Sequence, residues 1–133
     1  MEFMTITIKD ETFAGQVLHQ VLLEFQTQTV TVKEIIEKRV TTEVEAYNQK
    51  MPDYFRGLIE PTEAEKTLNG YKLKHNKRRI DAEQQVYTAL DAFQKNGFFM
   101  LIDNFQAESL EQLIELQPST TISFIKLTPL VGG

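Results

Sequence analysis

The sequence predicts an α+β fold, on three observations. Residues 5 to 9 (TITIK) and Val17 to Phe25 (VLHQVLLEF) have strand character. Val32, Ile35, Ile36, Val40, Val44 and Tyr47 recur at spacings of three and four, as one face of a long helix does. Two further strand-like runs, FFMLID at 98–103 and TISFIKL at 121–127, come only after an inserted segment and a second helical pattern. The expected order is strand, strand, helix, insertion, helix, strand, short helix, strand, in a single domain over 1–133 without an internal repeat.

Alternation in the first strand puts Ile6 and Ile8 on one face. Between the first two strands lies KDETFAGQ, where Gly15 supplies the positive φ of a tight turn, so the two runs form a hairpin. Leu22 and Leu23 are adjacent and point to opposite faces, which requires either a bulge or partial cover on both sides.

Thr31 and Glu34 in TVKE fit a capping box, the Thr oxygen accepting from a free helix N–H while the Glu reaches back. The β-branched Val40, Thr41, Thr42 and Val44 lower the helix's own propensity, so packing must compensate. Met51-Pro52 stops it. The insertion, about residues 50–80 and centred on Pro52 to Arg79, holds Tyr54, Phe55, Leu58, Ile59, Leu68 and Leu73 and is too apolar for a floppy linker. Within it a short helix is expected from Thr62 (PTEAEKTL) and a turn at Asn69-Gly70. Its aromatics suit packing better than a binding surface. Asp81 opens the second helix, DAEQQVYTALDAFQKNG, with Gln84 three residues on, an apolar side of Val86, Leu90 and Phe93, and Gly97 as a left-handed cap. After the strand FFMLID, a short turn of helix is expected around Leu110 to Leu116 (LEQLIEL), then the break QPST and the closing strand.

Composition narrows the chemistry. The chain has no Cys and two His, His19 and His75, which removes disulfides, thiol nucleophiles and zinc-thiolate sites and disfavours a multi-histidine metal centre. A net charge of −5 argues against general affinity for nucleic-acid phosphates. The stretch Lys72 to Arg79 (KLKHNKRR) is weighed as an anionic docking site or as a solvated linker or helix lead-in, and the latter is preferred because no aromatic ladder or recognition motif accompanies the charge. No run approaches the roughly 20 apolar residues of a membrane span, and the opening MEFMTITIKD lacks a basic start, so a cytoplasmic location is expected. Met4 is an alternative start, and Met1 to Phe3 are given no function. No Ser-His-Asp arrangement, Gly-rich phosphate loop or metal-ligand spacing occurs, so the chain is not expected to be an enzyme, and Glu43 and Glu45 read as helix-surface charges.

The ending carries the chemistry. Two glycines at the last two positions coincide in about 0.5% of chains at a glycine usage of about 7%. A flexible tail over 129–133 or a cloning remnant are the plain alternatives. A carboxylate is a poor acylating agent in water until it becomes a mixed anhydride, and an adenylating enzyme must thread it to ATP. Gly132 and Gly133 have no Cβ and can pass a narrow channel. Pro129 stiffens the exit from the last strand, and Leu130 and Val131 offer apolar grip.

The segment MLIDNFQAESLEQLIELQPSTTISFIKLTPLVGG resembles the second half of ubiquitin-like β-grasp proteins: strand, turn, short helical segment, final strand and exposed Gly-Gly. MTITIK, the second strand and the helix TVKEIIEKRV resemble the first half, so the likeness covers about two-thirds of the chain. PLVGG is closer to the Gly-Gly ends of the molybdopterin-synthase small subunit and related sulfur carriers than to the basic tail of ubiquitin, although the chain is longer than those carriers. With the insertion, the combination resembles bacterial ubiquitin-like proteins that accompany E1-like, E2-like and JAB-type peptidase proteins. The resemblance implies a β-grasp mixed sheet with a long helix. It implies adenylation of Gly133 by an E1-like enzyme that uses ATP, transfer to a partner cysteine, and amide formation with a target protein. No cofactor is held by this chain, and neither nucleic acid nor membrane is a partner. Gly133 is then the acyl donor, Gly132 the clearance residue, and Leu127, Pro129, Leu130 and Val131 the segment a partner enzyme recognises. The tail lacks ubiquitin's arginines, so a dedicated activating enzyme is expected. A sulfur carrier with a terminal thiocarboxylate and a plain interaction domain are the competing functions.

Overall fold

The opening hairpin forms as the alternation requires. In the computed structural model, which describes residues 3–67, 69–74 and 78–126, the elements in chain order are β1 (Met4–Glu11), β2 (Val17–Phe25), β3 (Thr29–Thr31), α1 (Val32–Lys50), β4 (Ala64–Thr67), β5 (Gly70–Leu73), α2 (Ala82–Gln94), β6 (Phe98–Ile102), β7 (Phe105–Gln106), β8 (Leu113–Glu115) and β9 (Thr121–Lys126). The protein is α+β, with a mixed sheet, a long helix and a second helix. Its described residues divide into two compact units, one from 3–35 and 92–126, the other within 36–91.

The first unit contains a five-stranded sheet in the order β2-β1-β9-β6-β7. β1 runs antiparallel to β2 and parallel to β9, and β6 is antiparallel to both β9 and β7. Ile6, Ile8, Leu23, Phe25, Met100, Ile102, Ile122 and Phe124 form its buried phase. Leu23 is buried while Leu22 is 63% exposed, and the β1–β2 ladder shifts only between Asp10 and Glu11. Of the two options open from sequence, neither a bulge at the leucines nor cover on both faces holds: Leu22 stands in solvent. Gly15 has φ +89°, and Gly15 N–H donates to Thr12 O at 2.9 Å.

Two details at the start of α1 lie in the same unit. The capping box is present, with Thr31 N–H donating to Glu34 Oε1 at 2.9 Å and Glu34 N–H to Thr31 Oγ1 at 3.1 Å. Two more first-turn donors are met by a loop, Val32 N–H by Gln112 O and Lys33 N–H by Leu110 O. That loop corrects the short helix expected at Leu110 to Leu116. Leu113–Glu115 is instead a strand, β8, paired antiparallel with β3. The carbonyls of Leu110 and Gln112 serve α1, and Leu116 N–H donates to Gln28 O at 2.7 Å, so the backbone groups a helix needs are already used. Burial follows a period of two, with Ile114 and Leu116 inside and Leu113 exposed.

In the second unit Ile36, Val40, Val44 and Tyr47 of α1 are buried, as their spacing predicts. The helix ends at Lys50, followed by Met51 at φ +44°. The insertion buries Phe55, Leu58 and Leu73, and the Phe55 ring meets Tyr47 edge-on at 5.5 Å. The helix expected from Thr62 is instead strand β4, paired antiparallel with β5. Glu63 at φ +53° breaks any helical path from Pro61, and the chain enters the ladder at Ala64. The Asn69-Gly70 turn is present. Gly70 has φ +126°, and a Cβ there would lie 2.8 Å from Phe55 O, so the close approach of the Phe55 backbone demands glycine. Asp81 caps α2 through its Oδ1, which accepts from Glu83 and Gln84 N–H.

In α2 Phe93 is buried as expected and Val86 and Leu90 are half-buried, while Gln85 and Ala89 beside them are the other fully buried residues. Its C-terminus also differs. Asn96, at φ +61°, takes the left-handed position expected of Gly97. Gly97 N–H donates to Ala92 O and Asn96 N–H to Phe93 O, the pair of bonds of a Schellman end.

Candidate functional site

The sequence places the chemistry after the last strand. Leu127, Pro129, Leu130, Val131, Gly132 and Gly133 lie outside the described residues. What is described is the platform they follow. β9 (TISFIK) sits inside the sheet with a partner on each side: Thr121 to Ile125 align with Thr7 to Glu11 of β1, and Ile122 to Lys126 with Ile102 to Phe98 of β6. Ile122, Ser123 and Phe124 are all buried, while Thr121 and Ile125 on the outward phase are half-buried. The strand is thus paired with β1 through Ile125 and with β6 through Lys126, the last described residue.

Its end is held on both faces. In the inward phase Phe98 lies between Phe93 and Phe124, with ring centroids 5.9 and 5.8 Å apart. Further along the same phase stand two opposite charges. Asp10 of β1 is 3% exposed, and its Oδ2 is 3.8 Å from Lys126 Nζ. A carboxylate this buried requires a compensating cation, and Lys126 supplies it. His19 of β2 is the register partner of Asp10 on the other side. In the outward phase Ile125 is paired with Phe99, and the exposed Phe13 ring of the β1–β2 loop approaches Phe99 at 6.2 Å.

Sequence reasoning singled out none of Asp10, Phe13, Phe99 or Lys126. A signal was present: Asp10 continues the inward phase of Ile6 and Ile8, and Lys126 that of Ile122 and Phe124. Opposite charges in the apolar phase of two strands point to a cross-strand pair.

Other residues weighed for function have described surroundings. In the basic stretch, Lys72 stands opposite Glu65 in the β4–β5 ladder, Lys74 N–H donates to Glu63 O, and Arg78 donates to Thr62 O. His75 lies outside the described residues. Glu45 is an exposed helix charge, whereas Glu43 is not a plain surface group. Its Oε1 accepts from Leu58 N–H at 2.8 Å and its Oε2 from the Nε of the buried Arg39 at 3.2 Å. Among the described residues no group of three His, Asp or Glu side chains is placed to hold a metal ion. No helix among them is long and apolar enough to cross a membrane.

No family model, curated protein or solved structure matches the chain.

Proposed function

We propose that this chain is a ubiquitin-like β-grasp protein modifier, activated at the carboxylate of Gly133 and conjugated to target proteins in the cytoplasm. One observation carries the proposal: β9 is a central strand, parallel to β1 through Ile125 and antiparallel to β6 through Lys126, and the sequence that follows it is LTPLVGG. A central strand paired on both sides through Ile125 is a fixed base from which a short glycine-ended segment can be presented to another protein. The strand order β2-β1-β9-β6-β7, with a hairpin before the long helix and a parallel pairing of first and last strands, supports the β-grasp assignment.

In this scheme a Gly133 carboxylate oxygen attacks the α-phosphorus of ATP on an E1-like enzyme and pyrophosphate leaves. A partner cysteine thiolate displaces AMP to form a thioester, which an E2-like protein passes on. A target amine then displaces the thiolate to give an amide, which a JAB-type peptidase hydrolyses. The catalytic groups belong to the partners. This chain contributes the acyl donor Gly133, the unobstructed Gly132, and the recognition segment Leu127, Pro129, Leu130 and Val131.

Incubation with ATP and the cognate E1-like enzyme should give a thiol-sensitive adduct. Deletion of Gly133 should abolish it and leave the denaturation midpoint unchanged. An equal yield from the shortened chain would refute the proposal. PLVGG favours a second reading, a sulfur carrier. Mass spectrometry of protein purified with its native partners separates the two, since exchange of one terminal oxygen for sulfur marks the thiocarboxylate.

A further inference from the structure

We infer that the open edge of β2 is a self-association site, at which a second copy of this chain adds its own β2 antiparallel and joins the two five-stranded sheets into one. The two edges of the sheet differ sharply. β7 has two residues, too few to template another strand. β2 has nine, VLHQVLLEF, and pairs with β1 alone among the described strands. Proteins commonly block a long edge with Lys, Pro or a bulge. β2 has no Lys, Arg or Pro, and the single register shift of its ladder, opposite Asp10/Glu11, skips only Leu18, next to its first residue. From His19 to Phe25 the strand is regular and carries one charge, Glu24.

Charge and side-chain chemistry select a second copy and a register. With a two-fold axis at Leu22, the pairs are Leu22 with Leu22, Leu23 with Val21, Glu24 with Gln20 and Phe25 with His19. The exposed Leu22 side chains then face one another across the axis on the outward face. Gln20 is itself the register partner of Lys9 on β1. Glu24 of one copy therefore shares a cross-strand row with Lys9 of the other, two strand spacings or about 10 Å away, a gap that Glu and Lys side chains span together. Symmetry makes this pair twice, and no acid of one copy stands opposite an acid of the other. Seven paired residues per copy give a contact at the small end of specific interfaces, so the dimer forms with concentration and is not obligate.

Sedimentation equilibrium of the full chain, in a series reaching about 1 mM, tests the inference. The wild-type protein should pass from monomer to dimer. Leu22→Lys sets two ammonium groups on the axis and should weaken association at least tenfold. Glu24→Lys should weaken it by setting Lys against Lys9, and the double exchange Glu24→Lys with Lys9→Glu should restore it. Circular dichroism checks that each variant is folded, which is expected because Leu22 and Glu24 are exposed. Amide exchange at 19–25 should slow as concentration rises. A wild-type chain that stays monomeric throughout overturns the inference. So does a dimer that Leu22→Lys and Glu24→Lys leave intact, or one that the double exchange fails to restore.

Discussion

The two units of this protein are held together by different means. The sheet unit is a layered apolar core, in which Ile6, Ile8, Met100, Ile122 and Phe124 are at most 1% exposed and Phe93, Phe98 and Phe124 form a chain of ring contacts. The second unit carries a long insertion whose only strands among the described residues are the short hairpin β4–β5, and side chains do much of the work that ladders do elsewhere. Asn48 Nδ2 donates to Ile80 O at 2.9 Å while its Oδ1 accepts from Ile80 N–H at 2.7 Å. Gln85 Nε2 donates to Ile59 O, and Glu43 takes the Leu58 N–H. Irregular backbone that is withdrawn from water still needs hydrogen-bond partners, and here amides and a carboxylate on the helices supply them.

If that contrast is right, the largest single loss lies in the sheet. Phe124→Ala removes a fully buried ring from the central strand and should destabilise by about 3–5 kcal/mol, read as a lower denaturant midpoint at unchanged slope. Asn48→Ala strips Ile80 of both partners and should cost about 2 kcal/mol. An Asn48 effect as large as that of Phe124 breaks the comparison, since a polar clamp would then outweigh a core aromatic. Thr31→Ala removes a polar contact within the sheet unit, the acceptor of Glu34 N–H, and should cost about 1 kcal/mol. A value near that of Asn48→Ala would mean that the sheet unit depends on polar contacts as the second unit does. The smallest effect on stability, near zero, is expected for Leu22→Lys, whose consequence is for association.

The strands and helices that sequence located were those whose signals are local. The capping box of Thr31 and Glu34, the turn at Gly15, the buried face of α1 and the Asp81 cap each depend on residues within a few positions of one another. LEQLIEL and PTEAEKTL are strands in place of the expected helices. Each has acceptable helix composition, but LEQLIEL is claimed by the distant β3 and first turn of α1, while PTEAEKTL is claimed by β5 across the Asn69-Gly70 turn, in a hairpin that its helical composition masked. The apolar pattern of α2 located Phe93 but not Gln85, a polar residue whose amide is buried on Ile59 O.

Sequence alone suggested the proposed chemistry, because PLVGG is a property of covalent order: two residues without Cβ, preceded by apolar ones. It also determined that β1 and β9 are strands, since a period of two is visible in any short run. Only the tertiary structure decided that these strands are neighbours and parallel, that Asp10 meets Lys126 where β9 ends, and that β2 is left at an edge. Those facts join residues more than a hundred positions apart. Pairing over such distances is settled by which arrangement buries the most apolar surface while satisfying the backbone, and no local pattern encodes that sum.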